Sequence, residues 1–350
     1  MTMHTQQKEK IARIFGVPFD PVNSPDRLNL KLAYLSHVVK GLHPSEAFED
    51  SYDAIKSYAF KETSFWGEDL WLGKMPVESW LRPRPEPKDK NLLTPFRAGS
   101  FLENNGCWDY ALNVMSFVEE RVFPHVPVMI GVDHSLSGGV LMALAKKYGP
   151  LNVVVLDAHF DVMNPDTAAT GFETSQSQTG QTFYQCGNFL SILLDEGIIQ
   201  PENLWVLGVV EGFPAMNNPL PGGRSSQGPE GEIRKWIDKG VNLVSREMVS
   251  SGDLDIDLSG PTYVSIDMDV GSLTSVFAAR FMNCQGLGLP EFLDLLSLVK
   301  RSIQKTGAFL VGLDIMEIDI HFLEAVDEMR HKDYTKYLSG EILGRFLKDE

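Results

Sequence analysis

The chain is poor in cysteine. Cys107, Cys186 and Cys284 are odd in number and far apart, so they make neither a disulfide framework nor a CxxC zinc pattern, which suits a reducing compartment. Long apolar runs are missing too, with nothing near the ~20 residues of a membrane span. The opening MTMHTQQKEK lacks the apolar stretch of a signal peptide, so a cytoplasmic protein is expected. Positive charge is scarce: 31 Lys and Arg against 47 Asp and Glu leave a net charge of −16. That balance argues against nucleic acid or an anionic membrane as partner and mildly favours a cationic substrate. Internal repeats and low-complexity tracts are also absent. What remains, 43% hydrophobic and 22% charged over 350 residues, is an ordinary globular composition, sized for one large α/β domain or two smaller ones.

The organisation changes near residue 95. Residues 1–95 hold Trp66, Trp71 and Trp80 and close with LRPRPEPKDKNLLTP, which reads as a linker or surface loop. Within them, IARIFGVPFD (11–20) reads as one strand and 27–41 as a helix. From 126 onward, short apolar runs alternate with helical patterns. VPVMIG (126–131), LNVVVLD (151–157), LWVLGVV (204–210), TYVSID (262–267) and FLVGLDI (309–315) read as buried strands. Helical periodicity falls at 138–149, 188–197, 230–240 and 290–304. Continuous apolar strands between helices predict a parallel sheet covered on both faces, and such sheets bind ligands at the carboxyl ends of their strands.

Three of these strands run directly into acids and histidines. VPVMIG leads to Asp133 and His134, LNVVVL to Asp157, His159 and Asp161, and TYVSI to Asp267 and Asp269. If the extension of 153–162 holds, Asp157, His159 and Asp161 project to one side of it. His134, Asp157, His159, Asp161, Asp267 and Asp269 would then converge on one sheet edge. Carboxylates with two imidazoles and no thiolate suit Mn²⁺, with Co²⁺, Ni²⁺, Fe²⁺ or Zn²⁺ compatible. The set is larger than one catalytic ion needs, whereas two ions sharing bridging carboxylates would use it all.

GVDHS (131–135), DAHFD (157–161) and SIDMD (265–269) resemble, in order and spacing, the three signatures of the ureohydrolase family of arginases, agmatinases and formiminoglutamases. GLDIMEI (312–318) is similar to that family's closing strand and FGVPFD (15–20) to its first. The resemblance covers roughly 95–320 well. It implies a three-layer α/β/α sandwich around a mostly parallel eight-stranded sheet, as a single arginase-like domain. In that domain 1–95 would be an N-terminal extension giving the first strand, and 96–350 would carry the metal site. It implies two divalent ions, most readily Mn²⁺, with Asp157 and Asp267 bridging, Glu317 and Asp133 fixing the ligands, and a hydroxide attacking a guanidinium carbon. Asp161 would receive the hydroxide's proton. A small guanidino or amidino substrate and a homo-trimer or hexamer, or assembly with a paralogous subunit, follow from the same resemblance.

The departures bear on substrate. Cys186, in YQCGNFL, stands where the family often has a proton-shuttle histidine, so the shuttle would be Cys186, Glu173 or a water chain; alternatively Cys186 is a small core residue. In RFMNCQGLGL (280–289), Asn283, Cys284 or Gln285 stands where a guanidinium-binding Glu is expected, which makes Asn283 and Gln285 the candidate substrate-binding residues and puts arginine and agmatine in doubt. The polar loop 164–183 is either a substrate wall or solvated surface. His37, His43, His125, His321 and His331 read as ordinary surface or core histidines, the tryptophans as local core or subunit contact, and RPRPEP as a solvated turn. Two other functions stand beside a hydrolase of linear amidines: a non-catalytic ureohydrolase-like subunit, and a deacetylase on the related fold using one zinc ion.

Overall fold

The computed structural model describes residues 11–42, 48–62, 67–162, 183–210, 229–252, 254–281, 284–329 and 333–348. Eight strands form one sheet: β1 (Ala12–Val17), β2 (Trp71–Lys74), β3 (Val126–Gly131), β4 (Asn152–Leu156), β5 (Leu204–Val209), β6 (Asn242–Ser245), β7 (Pro261–Asp267) and β8 (Phe309–Met316). Their order across the sheet is β2-β1-β3-β8-β7-β4-β5-β6, and every pairing is parallel. The layered α/β/α architecture is the one the resemblance implies.

Period-two alternation builds the two covered faces. On β3, Met129 packs into one apolar layer while Val128 and Ile130 enter the other; on β4, Val153 and Val155 oppose Val154 and Leu156 in the same way. Helices Gly106–Phe117, Ser137–Tyr148 and Phe189–Asp195 cover the first face through Val114, Val140, Leu144 and Leu193. Helices Ser51–Glu62, Leu289–Thr306 and Thr335–Leu347 cover the second through Ile55, Leu295, Val299, Leu338 and Ile342. Gly139 lets the helix that follows β3 press against Gly106–Phe117: a Cβ there would meet the Ala111 carbonyl oxygen at 2.2 Å.

The N-terminal part does more than lend a first strand. It also supplies β2 at the sheet edge, beside β1. The segment read as a linker or surface loop is partly packed: Pro87 opens a short 3-10 turn (Pro87–Asn91), and Leu81, Asp89 and Leu93 are buried while Glu86, Pro87 and Lys88 are exposed. RPRPEP is likewise no free turn, because Arg84 pairs with Glu324 of helix Ile320–Met329 and lies over the Tyr34 ring. Trp71 and Trp80 are core residues; Trp66, His43 and His331 lie outside the described residues. No helix among the described residues is long and apolar enough to cross a membrane.

Candidate metal centre

The chain passes from β3 to β4 across the sheet, and β8 and β7 later fill the gap. Loops after β3, β8, β7 and β4 therefore crowd one stretch of the carboxyl edge, the crevice in which open parallel sheets hold ligands. Asp157 follows the last residue of β4, Asp267 ends β7, Asp269 sits in the turn Met268–Val270, and His134 opens the turn His134–Leu136 after β3. The strand does not continue through 157–161 as the alternation suggests. It stops at Leu156, and Asp161 takes a left-handed backbone, φ 47°. A turn, and not a strand face, brings the DAHFD side chains together, because Asp157 Oδ1 accepts the His159 N–H at 2.6 Å and curls the chain back.

His134 Nδ1 lies 3.3 Å from Asp157 Oδ2, 3.3 Å from Asp161 Oδ2 and 3.0 Å from Asp267 Oδ2. His159 Nδ1 lies 3.5 Å from Asp157 Oδ1 and 3.0 Å from Asp269 Oδ2. His134, Asp157 and Asp161 thus form one potential ligand group, and Asp157, His159 and Asp269 a second that shares Asp157. Three of the carboxylates are half fastened: one oxygen of Asp157, Asp267 and Asp269 accepts from the backbone N–H of His159, Asp269 and Ala158 respectively. Asp157 Oδ2, Asp269 Oδ2 and His134 Nδ1 are buried with no hydrogen-bond partner.

Such orphans are costly unless something is bound between them. Ligand atoms on adjacent corners of an octahedron with metal bonds of about 2.1 Å lie about 3 Å apart, close to the spacing here. Charge points the same way. Among the described residues, the ion-pair partners of Asp157, Asp161, Asp267 and Asp269 are only the two imidazoles. Without metal, protons must compensate. Burial and then the Asp157 charge raise Asp161 to about 6 and Asp269 to about 7, and burial with Asp269 and Asp157 raises Asp267 well above the usual range. Burial opposes charge on His134 and His159, yet their carboxylate neighbours outweigh it and raise both pKa values. The donor set fits divalent cations.

Around this cluster lie further buried charges that touch its backbone and turns. Glu317, with φ 61°, follows β8, and its Oε1 accepts the His134 backbone N–H at 2.9 Å. Asp133 Oδ1 accepts from Ser135 N–H at 3.2 Å, and Asp133 Oδ2 lies 2.5 Å from Arg280 Nη1. Cys186 is buried beside Asp133 and Glu317 and falls in neither group of the inner cluster; Asn23 Nδ2 points at its sulfur from 3.8 Å. Gln285 is exposed, whereas Asn283, Glu173 and loop 164–182 lie outside the described residues. Ser265, Asp314 and Arg280 were not singled out from the sequence. A lone acid in the apolar run FLVGLDI was the available signal for Asp314, since a carboxylate in a buried strand needs partners.

Fold and cluster define an all-parallel α/β protein whose carboxyl edge carries carboxylates and imidazoles grouped closely enough to hold divalent cations. The family model described as "Arginase family" matches residues 109–325, and the chain belongs to that family. It is 28% identical over 200 residues to the mitochondrial agmatinase of Gallus gallus, covering 55% of this chain and 49% of that protein. To proclavaminate amidinohydrolase of Streptomyces clavuligerus it is 31% identical over 201 residues, covering 55% and 53%. The chain thus matches about half the length of these relatives. The solved structure of formimidoylglutamase from Bacillus subtilis superposes with a TM-score of 0.57 at 17% identity, over 98% of this chain and 88% of that one, a likeness of fold.

Proposed function

We propose that the chain hydrolyses a C–N bond of a small linear guanidino or amidino compound. Two divalent cations would be held by His134, Asp157, Asp161 and Asp267 on one side and by Asp157, His159, Asp267 and Asp269 on the other. The observation that carries this reading is the buried set of four carboxylates and two imidazoles with orphaned atoms and, among the described residues, no Lys or Arg paired to those carboxylates. Mn²⁺ best suits oxygen donors with imidazole, and Ni²⁺ or Co²⁺ fit the same donors. Such a pair of ions, once bound, would supply hydroxide near neutral pH.

The chain's own groups supply the rest. Asp161 and His159 side chains keep 12% and 25% exposure while their neighbours are sealed, so substrate would reach the cluster from their side. Asp161 would then take a proton and return it to the leaving nitrogen, a role that its partial exposure at the cluster's open side supports. Relatives named agmatinase and amidinohydrolase favour an amidine-type substrate, and the net charge of −16 favours a cation. Cys186 at the expected histidine position and the exposed Gln285 turn attention from arginine and agmatine to guanidine, biguanides, guanidino acids and formiminoglutamate. A trimer or hexamer is the assembly proposed; a clean monomer near 39 kDa in sedimentation would count against it.

The decisive experiment pairs metal analysis by plasma emission with a screen for urea or ammonia release across those compounds. About two ions per chain and release from one of them are expected. A metal-free, inactive protein would mark a non-catalytic subunit, and a single zinc ion with acetate release would mark a deacetylase.

A further inference from the structure

The charges outside the inner cluster form a system of their own, and Arg280 is its centre. The Arg280 side chain comes from the segment after β7 and is 2% exposed. Its Nη1 lies 2.5 Å from Asp133 Oδ2 and 3.8 Å from Glu317 Oε1. Its Nη2 donates to the Pro21 carbonyl at 3.2 Å and lies 3.8 Å from Asp20 Oδ1. The Arg280 backbone N–H donates to the Glu317 carbonyl at 2.8 Å. One residue thereby touches the loops that follow β1, β3 and β8.

Two of those partners control His134. Glu317 receives the His134 backbone N–H, and Asp133 caps the turn that His134 opens. Glu317 holds its left-handed backbone without glycine's freedom, a conformation that persists only where its surroundings enforce it. Arg280 grips it there by both backbone and side chain. Beyond Arg280 the web continues: Arg27 donates to Asp20 through Nε at 2.7 Å and Nη2 at 2.6 Å, and pairs with Asp319. Lys31 Nζ adds a third cation 3.6 Å from Asp20 Oδ2. Arg27, Lys31 and Arg280 face Asp20, Asp133, Glu317 and Asp319, so this outer web is nearly neutral from protein charges alone, unlike the inner cluster.

We propose that Arg280 is a positioning residue for the metal centre, clamping Asp133 and Glu317 and tying both to the N-terminal segment through Pro21 and Asp20. The proposal rests on the metal-binding reading above. A guanidinium suits the task because its planar fork addresses several acceptors at fixed angles, which an ammonium on a flexible stem does not.

The test compares the full wild-type chain with Arg280→Gln and Arg280→Lys. It measures Mn²⁺ binding by calorimetry, the visible spectrum of the Co²⁺-loaded protein, and hydrogen exchange of the metal-free protein at 131–136 and 314–319. Arg280→Gln is expected to bind metal about 10–100-fold more weakly, the range for lost partners of metal ligands, with an altered Co²⁺ spectrum. Both segments should exchange faster even without metal, and Arg280→Lys should recover only part of each loss. Wild-type affinity, spectrum and exchange in folded Arg280→Gln would overturn the proposal; if that variant does not fold, the same result in Arg280→Lys overturns it. A wild-type chain that binds no divalent ion sinks the metal reading instead, and exchange in the metal-free variants still decides the role of Arg280.

Discussion

His134 Nε2 lies 2.9 Å from the Ser265 hydroxyl oxygen, and that contact decides which ring nitrogen is left for a metal. Ser265 donates its own hydrogen to Asp314 Oδ1 at 2.7 Å, so it accepts from the imidazole. Nε2 therefore carries a proton in either state, and when the ring gives up its second proton to receive a cation it is Nδ1, beside Asp157, Asp161 and Asp267, that is left to ligate. Asp314 is held in turn by the Tyr263 hydroxyl and by the Ile266 N–H at 3.2 Å. Ser265→Ala removes the acceptor and frees the ring to take the wrong tautomer. Metal affinity should fall about 10–100-fold with the fold intact, as for other partners of ligating histidines. Titration of the metal-free variant followed by calorimetry checks this; unchanged affinity would separate Ser265 from the site.

Asp161 stands apart from the other three carboxylates of the cluster in backbone and in exposure, with φ 47° and a side chain 12% exposed. Asp161→Asn keeps the size and one oxygen while removing the charge and the proton acceptor. The expected result is retained fold and most of the metal, with kcat reduced by about 10²–10⁴, the usual worth of general acid–base help, and KM nearly unchanged. Near-full turnover with metal in place would defeat the role assigned to Asp161.

Where the sequence was legible, one element could be read without its neighbours. Strand β3 agrees with its apolar run residue for residue, and β4, β5, β7 and β8 to within a residue or two. Strands β2 (WLGK) and β6 (NLVS) escaped because four mixed residues make no run; their place at the two sheet edges relieves them of full burial. Helices Gly106–Phe117 and Thr335–Leu347 were missed as well. At the site, ligand identity could be read from position after strands, but the geometry of DAHFD could not, since a side chain–backbone turn overrode the alternation. Arg280 was hidden for a different reason. Its meaning lies in Asp133, 147 residues away in the chain, and a single sequence carries no trace of that contact.

Metal binding should also release protons. In the metal-free protein Asp161 titrates at about 6 and Asp269 at about 7, and His134 and His159 hold protons above their ordinary range. These raised groups are protonated at low pH and must give up protons to receive a cation. Affinity therefore rises with pH from 6 to 8, by about tenfold per pH unit for each proton released. Calorimetry at pH 6.5 in buffers of different ionisation heat should show the release directly. Affinity that stays flat across this window would mean that the cluster is not the binding site.

Cys186 provides the last prediction, because its surroundings fit a neutral thiol better than a proton carrier. Burial first, and then the charges of Asp133 and Glu317, push its pKa well above the ordinary value. A thiolate there would face two carboxylates with Arg280 as the compensating charge, and that arginine is already engaged by Asp133 and Pro21. Asn23 Nδ2, at 3.8 Å from the sulfur, offers only a weak contact. Iodoacetamide at pH 7.5 should accordingly label the exposed Cys284 and spare Cys186 and Cys107. Cys186→Ala should lose about 1 kcal/mol of stability, a typical value for a single substitution. Its kcat should stay within about tenfold of wild type, well short of the 10²–10⁴ expected for a working acid–base group. A hundredfold fall in kcat with metal content unchanged would place the thiol in the proton path after all.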